Sequence, residues 1–224
     1  MTEPELDSPP AGLWNRMRAD PTYAPEHLAA EAVRVLGPRA AAWTAYVRTV
    51  QPHVSADDLA QIAAKKFANL ASLTGAVSGA AGLPGAIVDF GVLAWNQARM
   101  VLSIAAAYGH DPQDPDRATD LLVLQRVHGM ASAARLALGV AAGRTTAGTA
   151  MVSSGGTARV VGQLSLKLAR MAGMRAVKRV AAKVVPGASI VFGSWANRSA
   201  TRDLAARAIT HYRPSVPAQR TGEQ

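Results

Sequence analysis

Four polar side chains set along one apolar predicted helix are the residues best placed to do chemistry. Asp89 is the single formal charge in the segment 67–98. At 100° per residue, Asn96 and Ser103 fall on the helix face of Asp89, and Arg99 lies at its edge. A buried carboxylate is costly unless it is hydrogen-bonded or paired. Asp89 is therefore either an acid or ligand anchor of altered pKa, or part of a buried structural network, and the network is the commoner case.

Other patterns of reactive residues are few. The five histidines have neither H-x-x-x-H nor H-E-x-x-H spacing, and the chain has no cysteine, so no metal site and no cofactor is predicted. His110 beside Asp111 could form an acid–base pair, although a histidine at a helix C-terminus is usually a cap. No nucleophile elbow, Walker loop or dinucleotide-binding glycine pattern occurs. The sequence therefore names no reaction.

The segment 67–98 also needs an explanation as a structural element. A water-facing helix needs a charged face, so this segment must be buried in protein, buried in lipid, or able to exchange between the two. Its glycines and Pro84 break it near the middle, which favours a close-packed antiparallel helical hairpin over a single membrane span. The predicted helix-packing glycines are Gly75 and Gly79 in the first helix, Gly82 and Gly85 at the break, and Gly187 at the start of the last helix.

Start and stop signals predict helices throughout, with no alternating pattern typical of strands. Ser55 with Asp58 resembles a capping box at the start of the first hairpin helix, and Gly109 ends the second. The other predicted helices are Leu13–Arg18, Pro25–Leu36, Pro38–Val50, one from Asp116 to about Ala142, one over Ala158–Val185, and one from Pro186 to about Tyr212.

These elements predict an all-α, single-domain helical bundle built around the Gly/Ala-rich hairpin. Residues 1–10 are expected to be disordered, 11–54 to form N-terminal helices and 55–212 to form the main helical domain. Within that domain, 143–157 is rich in Gly, Ser and Thr and is expected to be a flexible insertion. The tail 213–224 is expected to be disordered.

The charge distribution points to an anionic partner. The chain carries a net charge of +9, and residues 131–224 alone carry +12, with no acidic residue between Asp120 and Asp203. Two basic amphipathic segments within 159–185 are typical of membrane-surface helices. Nucleic acid is disfavoured because no aromatic residues interleave the basic ones. The residues expected to contact anionic lipid are Lys167, Arg170, Arg175, Lys178, Arg179 and Lys183.

Several of these motifs together resemble the bacterial EcsC family, over roughly Ser55–Tyr212. They are Lys65-Lys66-Phe67-Ala68, the Gly75/Gly79 pair, Gly82-Leu83-Pro84-Gly85, Asp89, Tyr108-Gly109-His110-Asp111-Pro112, and the closing Pro186-Gly187, Asn197, Thr201 and Ala208. The family is named for an operon that also encodes an ABC transporter, and some members are linked with lipids or membranes. The resemblance brings no catalytic residues with it.

The leading functional hypothesis is non-catalytic binding to a membrane surface or to a lipid-like ligand. Because the N-terminus MTEPELDSPPAG has no apolar signal-peptide region, the expected location is cytoplasmic. The basic segments add the expectation of a peripheral position on the inner face of the membrane. One alternative is an enzyme acting on a lipid or small apolar substrate, with Asp89 or His110 as the acid or base. Another is a soluble scaffold or the partner of a membrane protein such as an ABC transporter.

Overall fold

The structure, a computed structural model, describes residues 9–77, 82–146 and 188–214, with side chains in all of these except 72–77, 82–90, 144–146 and 188–196. Within these ranges the chain is all-α, as predicted, with one 3₁₀ turn at Pro21–Tyr23 and no strand. The seven helices are α1 Ala11–Ala19, α2 Ala24–Val50, α3 Ala56–Val77, α4 Gly82–Ala107, α5 Asp116–Leu124, α6 Ala131–Thr146 and α7 Ala188–Tyr212.

The prediction of two helices in place of α2 is wrong. Pro38 was expected in the first turn of a new helix, where a proline is favoured because its missing N–H costs nothing. Pro38 instead lies inside α2, with buried Leu36 and Ala40 on either side of it. Gly37 is packed so closely that an added Cβ would lie 2.7 Å from the carbonyl oxygen of Pro112. Packing on both sides of the proline therefore outweighs the hydrogen bond that it removes.

The predicted hairpin signals are confirmed at both outer ends. The Ser55 Oγ accepts from the Asp58 backbone N–H at 3.0 Å and donates to the Asp58 carboxylate at 2.7 Å, which caps the start of α3. Gly109 follows α4 with a φ of +87°, and the His110 N–H donates back to the Ala105 carbonyl at 3.0 Å. This is the six-to-one bond of a Schellman motif, for which glycine is favoured.

Polar contacts along the hairpin define how its helices run. Asp57 at the start of α3 accepts from Tyr108, immediately after α4, so α3 and α4 are antiparallel. Asp57 also accepts from Arg213 just beyond α7, and Asn69 further along α3 accepts from Arg198 near the middle of α7. Thus α7 runs antiparallel to α3 and packs against both helices of the hairpin.

The second half of α4 is the centre of the core. Every residue from 91 to 107 is buried except Val92 and Arg99, which are partly buried. Trp95 is only 1% exposed and is among the largest fully buried side chains of the described ranges. Helices α2, α3 and α7 surround this part of α4, and Trp14 of α1 contacts it at Gly91. This part of the uncharged segment is therefore covered by protein.

The prediction of one helix from Asp116 to about Ala142 is also wrong, because α5 ends at Leu124 and α6 begins at Ala131. Arg126 adopts a left-handed conformation with a φ of +58°, and the Val127 N–H donates to the Leu122 carbonyl at 2.9 Å. This is the same ending that Gly109 gives to α4, but with an arginine at the position where glycine is usual. No glycine stands at this position to signal the end of α5, and Gly129 follows only three residues later.

The flexible insertion expected at 143–157 begins inside a helix, since α6 continues to Thr146. The rest of that segment lies outside the described residues, as do the expected disordered residues 1–8 and 215–224 and the predicted basic helix at 158–185.

Gly91→Ala should destabilise the fold, because the added Cβ would lie 2.2 Å from the Trp14 ring. Overpacking of this kind costs about 1–3 kcal/mol, which should appear as a lower melting temperature by circular dichroism. The matched control is Gly139→Ala on α6, where an added Cβ meets nothing within 4 Å. That change should instead stabilise the protein by about 0.5–1 kcal/mol through helix propensity. Equal melting temperatures for the two variants would contradict the α1–α4 contact.

Candidate functional site

Two described side chains of the predicted polar face on α4, Asn96 and Ser103, donate to carbonyls of their own helix. Asn96 Nδ2 donates to the Val92 carbonyl at 2.8 Å, and Ser103 Oγ donates to the Arg99 carbonyl at 2.9 Å. Both side chains are buried. They lie seven residues apart, which is about 10 Å along a helix. These two hydrogen bonds are separate from each other, and they do not gather Asn96 and Ser103 into one site.

Two cations flank the Phe67 ring beside this face. The Arg99 guanidinium lies 5.6 Å from the ring centre, and Lys66 Nζ lies 5.7 Å from it and 5.3 Å from the Trp43 ring. Cation–π contacts of this kind hold long side chains against the core surface. Asp89 lies in the first third of α4, where the structure describes the backbone, so the predicted role of its carboxylate stays a prediction.

A second set of buried polar side chains joins α4 to α7. It lies outside the predicted polar face through Asp89. Gln97 Nε2 donates to the Thr201 hydroxyl at 3.1 Å, and both residues are buried. Asn197, one turn before Thr201, is buried as well, as is Ala208 two turns after it. Three residues of the closing-helix motif therefore face the core, where a buried hydrogen bond fixes the position of α7 on the hairpin.

His110 and Asp111 have different partners. His110 Nε2 lies 3.3 Å from the Tyr212 carbonyl oxygen, and the two rings have centres 5.2 Å apart. Asp111 accepts from the Gln113 backbone N–H at 2.9 Å, within its own loop. The contacts of His110 therefore fasten the loop after α4 to the end of α7.

Asp120 joins α5 to the end of α7. The Tyr212 hydroxyl donates to Asp120 at 2.9 Å, and Arg117 and His211 lie 3.0 and 3.4 Å from the same carboxylate. Burial, followed by the charge of Asp120, raises the pKa of Tyr212 above its usual range. The Tyr212 hydroxyl therefore stays protonated and acts as a hydrogen-bond donor that closes this end of the bundle.

Asp57 closes the opposite side of the same end. It accepts from the Tyr108 hydroxyl and from Arg213 Nε at 3.0 Å. The Tyr108 hydrogen bond, followed by the Arg213 hydrogen bond, lowers the pKa of Asp57. Burial and then the bond to Asp57 raise the pKa of Tyr108. Because its folded-state pKa is lowered, Asp57 stabilises the fold above the unfolded-state pKa and loses this effect as the pH falls through the folded-state pKa.

Asp57→Asn should lower the melting temperature at pH 7, since the neutral amide forms weaker bonds to Tyr108 and Arg213. The difference from the unmodified protein should shrink as the pH falls below about 4, where an unperturbed aspartate is protonated. Thermal melts followed by circular dichroism across this range measure both effects. Asp203→Asn, at an exposed position of α7, is the control and should change the melting temperature little. A pH-independent effect of Asp57→Asn would contradict the assigned role of the carboxylate.

The most exposed apolar side chains of the described ranges lie at and just before α6. Met130 is 68% exposed and Leu136 is 71% exposed, and Val140 is also exposed. Arg135 lies among them, at 3.7 Å from the exposed Asp116 carboxylate. We call Met130, Arg135, Leu136 and Val140 the α6 surface. In the described ranges, no helix is both long and apolar enough to cross a membrane.

A cavity of about 770 Å³ lies between the α6 surface and the start of α2. It is lined by Glu26 of α2, His128 of the α5–α6 connection, and Leu136 and Val140 of α6. His128 Nε2 donates to Glu26 Oε1 at 2.7 Å. Sequence reasoning missed this pair because its members are far apart in the chain and belong to no recognised spacing.

Several other predicted site residues lie where the structure describes only the backbone, or lie outside the described residues. Gly75 lies in α3, and Gly82 and Gly85 lie in the first turn of α4. Gly79, Gly187 and the six basic residues expected to contact lipid lie outside the described residues. Their roles stay predictions.

A model of the EcsC protein family matches residues 53–214 of the chain. The chain belongs to the EcsC protein family. The matched region runs from just before α3 to just beyond α7, so it contains the hairpin, the α6 surface and His128. Helices α1 and α2, including Glu26, precede it. Comparison with curated proteins and with solved structures found no match.

Proposed function

We propose that this EcsC family protein binds the surface of anionic membranes, without catalysis, through the α6 surface and the basic region that follows it. The observation that carries the proposal is the exposure of Met130 and Leu136 on a stretch with no acidic side chain. Exposed apolar patches mark interaction sites, and Leu136 and Val140 lie one turn apart on the same face of α6. In this proposal the protein is a peripheral protein on the cytoplasmic face of the membrane.

Charge supports an anionic lipid surface as the occupant. Acidic residues are absent from 121–202, whereas this range contains 12 Lys and Arg residues. Anionic lipid attracts each nearby basic side chain by about 1 kcal/mol. A membrane therefore complements both properties of this part of the chain, because it offers apolar acyl chains beside negative headgroups.

The contacts of α4 support the view that the hairpin itself does not enter the bilayer. Its described half is enclosed by other helices, and the Gln97–Thr201 hydrogen bond ties it to α7. Insertion would break this bond and expose the polar groups to lipid at a cost of several kcal/mol. We therefore assign membrane contact to α6 and the basic region and assign the hairpin to the protein core.

The alternatives have less support. The acid–base role considered for His110 competes with its contact to Tyr212. A membrane-protein partner, such as an ABC transporter, would contact the same basic region. Binding to such a partner would need that protein in the test vesicles, whereas binding to lipid would not.

Co-sedimentation with protein-free vesicles tests the proposal. At about 0.01 M salt, where the Debye length is about 30 Å, the protein should bind phosphatidylglycerol vesicles but not phosphatidylcholine vesicles. At about 1 M salt, where the Debye length is about 3 Å, it should be released. Replacing Arg175, Lys178, Arg179 and Lys183 with glutamine should weaken binding at least about tenfold, given the attraction of about 1 kcal/mol for each.

Exposed apolar residues provide the matched control. Met130→Gln should weaken vesicle binding, whereas Val50→Gln, at a similarly exposed position on α2, should not. The proposal is wrong if the protein stays in solution with phosphatidylglycerol vesicles at low salt. It is also wrong if Met130→Gln and Val50→Gln bind phosphatidylglycerol vesicles equally.

A further inference from the structure

The last turns of α2 carry a second group of exposed large apolar side chains, separate from the α6 surface. Tyr46 is 50% exposed, Val50 is 59% exposed, and Trp43 is partly buried against the core. At 100° per residue, these three and Arg39 fall within about 60° of one another on the helix. We call Arg39, Trp43, Tyr46 and Val50 the α2 stripe. Tyr46 lies about 30 Å along α2 from Glu26, which lines the cavity beside α6.

The α2 stripe has positively charged surroundings. Arg39 is exposed, and Lys66 Nζ of α3 lies 5.3 Å from the centre of the Trp43 ring. The sequence has no acidic residue between Glu31 and Asp57. A two-fold contact between two copies would place the cations of the stripe against their own counterparts, and like charges brought together oppose binding. The stripe therefore favours an occupant with acidic side chains.

Helix α1 lies on the same ridge of α2 that leads to the stripe. Asp20, just after α1, lies 3.4 Å from His27, and Arg16 lies 3.0 Å from Glu31. His27 and Glu31 are four residues apart, and two further steps of four along this ridge reach Arg39. The contacts move back along α1 as they advance along α2, so the two helices are antiparallel. The first turn of α1 therefore points toward the stripe.

Residues 1–8 precede α1 and are long enough to cover the stripe. The register of the two α1–α2 contacts, continued to the start of α1, sets the buried Pro9 about level with Pro38, one residue before Arg39. From Arg39 to Val50 the helix rises about 17 Å. Eight extended residues span about 26 Å, which exceeds this distance.

The sequence of residues 1–8, MTEPELDS, complements the stripe. It has no basic side chain and three acidic ones, at Glu3, Glu5 and Asp7. Two of its residues, the third and the eighth, precede prolines, which favours an extended backbone. Side chains alternate between the two faces of an extended chain. The three acids would therefore share one face, and Leu6 would lie on the other.

We propose that residues 1–8 bind along the α2 stripe as an extended segment. Leu6 packs against the Trp43 and Tyr46 rings, and the acidic side chains face the cations of the stripe and of α3. Burial of Leu6 removes apolar area from water, and the opposite charges set the position of the segment. The stripe lies outside the region matched by the family model, and its occupation needs no lipid.

Disulfide trapping tests the proposal, because the natural chain has no cysteine. Pro4→Cys with Val50→Cys keeps Leu6 and all three acids. Under mild oxidation this pair should form an intramolecular disulfide, which requires Cα atoms within about 7 Å of each other. Closure is measured by mass spectrometry of the non-reduced protein.

The matched control pair is Pro4→Cys with Ala45→Cys. Ala45 is also exposed and lies nearer to α1 along α2, but it is about 140° around the helix from Val50. The Val50→Cys pair should close roughly tenfold faster than the control, because docking raises the effective concentration of its thiols. Equal rates would overturn the proposal. A disulfide between two copies in place of the intramolecular one would assign the stripe to a second copy and would also overturn it.

Neutralising the segment separates docking from simple tethering. Glu3→Gln, Glu5→Gln and Asp7→Asn, added to the Val50→Cys pair, should slow its closure to about the rate of the control pair. Salt at about 1 M, where the Debye length is about 3 Å, should slow the acidic form in the same way. Closure that responds to neither change would contradict the charge complementarity on which the proposal rests.

Vesicle binding separates the α2 stripe from the α6 surface. Tyr46→Gln should bind phosphatidylglycerol vesicles as the unmodified protein does. A loss equal to that of Met130→Gln would show that lipid covers the stripe, and the inference would then be wrong. Failure of the membrane proposal would leave the disulfide rates unchanged, because they are measured without lipid.

Discussion

The fold depends on the need to cover α4, a helix with almost no charged surface. An apolar helix in water must be enclosed on every side, and α2, α3 and α7 pack around its described half while Trp14 of α1 contacts Gly91. Small residues on these helices allow the close approach. Among the polar side chains inside, Asn96 donates to a carbonyl of its own helix, and Gln97 donates to Thr201 of α7. The ion pairs and tyrosine contacts at the end of the bundle then lock the hairpin to α7.

This enclosure separates the covered core from the part of the described chain whose large apolar side chains are most exposed. Its uncharged sequence makes the hairpin a candidate for membrane contact. The part of α4 from 91 to 107 is instead covered by other helices of the protein. The two most exposed large apolar side chains of the described residues are Met130, just before α6, and Leu136 of α6, beside the cavity and directly before the basic stretch of the chain. The same local feature, the left-handed turn at Arg126, ends α5, redirects the chain into α6 and places His128 against Glu26.

The sequence was a good guide where one residue type decides the local structure. Ser55 and Asp58 predicted the start of α3, Gly109 predicted the end of α4, and the uncharged composition predicted a close-packed hairpin. Prediction failed where tertiary contacts override local preference. Pro38 stays inside α2 because the helix is packed on both sides of it, and Arg126 takes a conformation for which glycine is the usual signal. The Glu26–His128 pair depends on how α2 meets the α5–α6 turn, which no spacing within the chain encodes.

The central claim is that α6 contacts the membrane while α4 stays covered by protein, and hydrogen–deuterium exchange with and without phosphatidylglycerol vesicles tests it most directly. Amides of α4 between residues 91 and 107 should exchange slowly and equally in both samples, because their enclosure does not involve lipid. Amides of α6 should become more protected when vesicles are added. Unchanged exchange in α6, or a change in α4 on adding vesicles, would contradict the account.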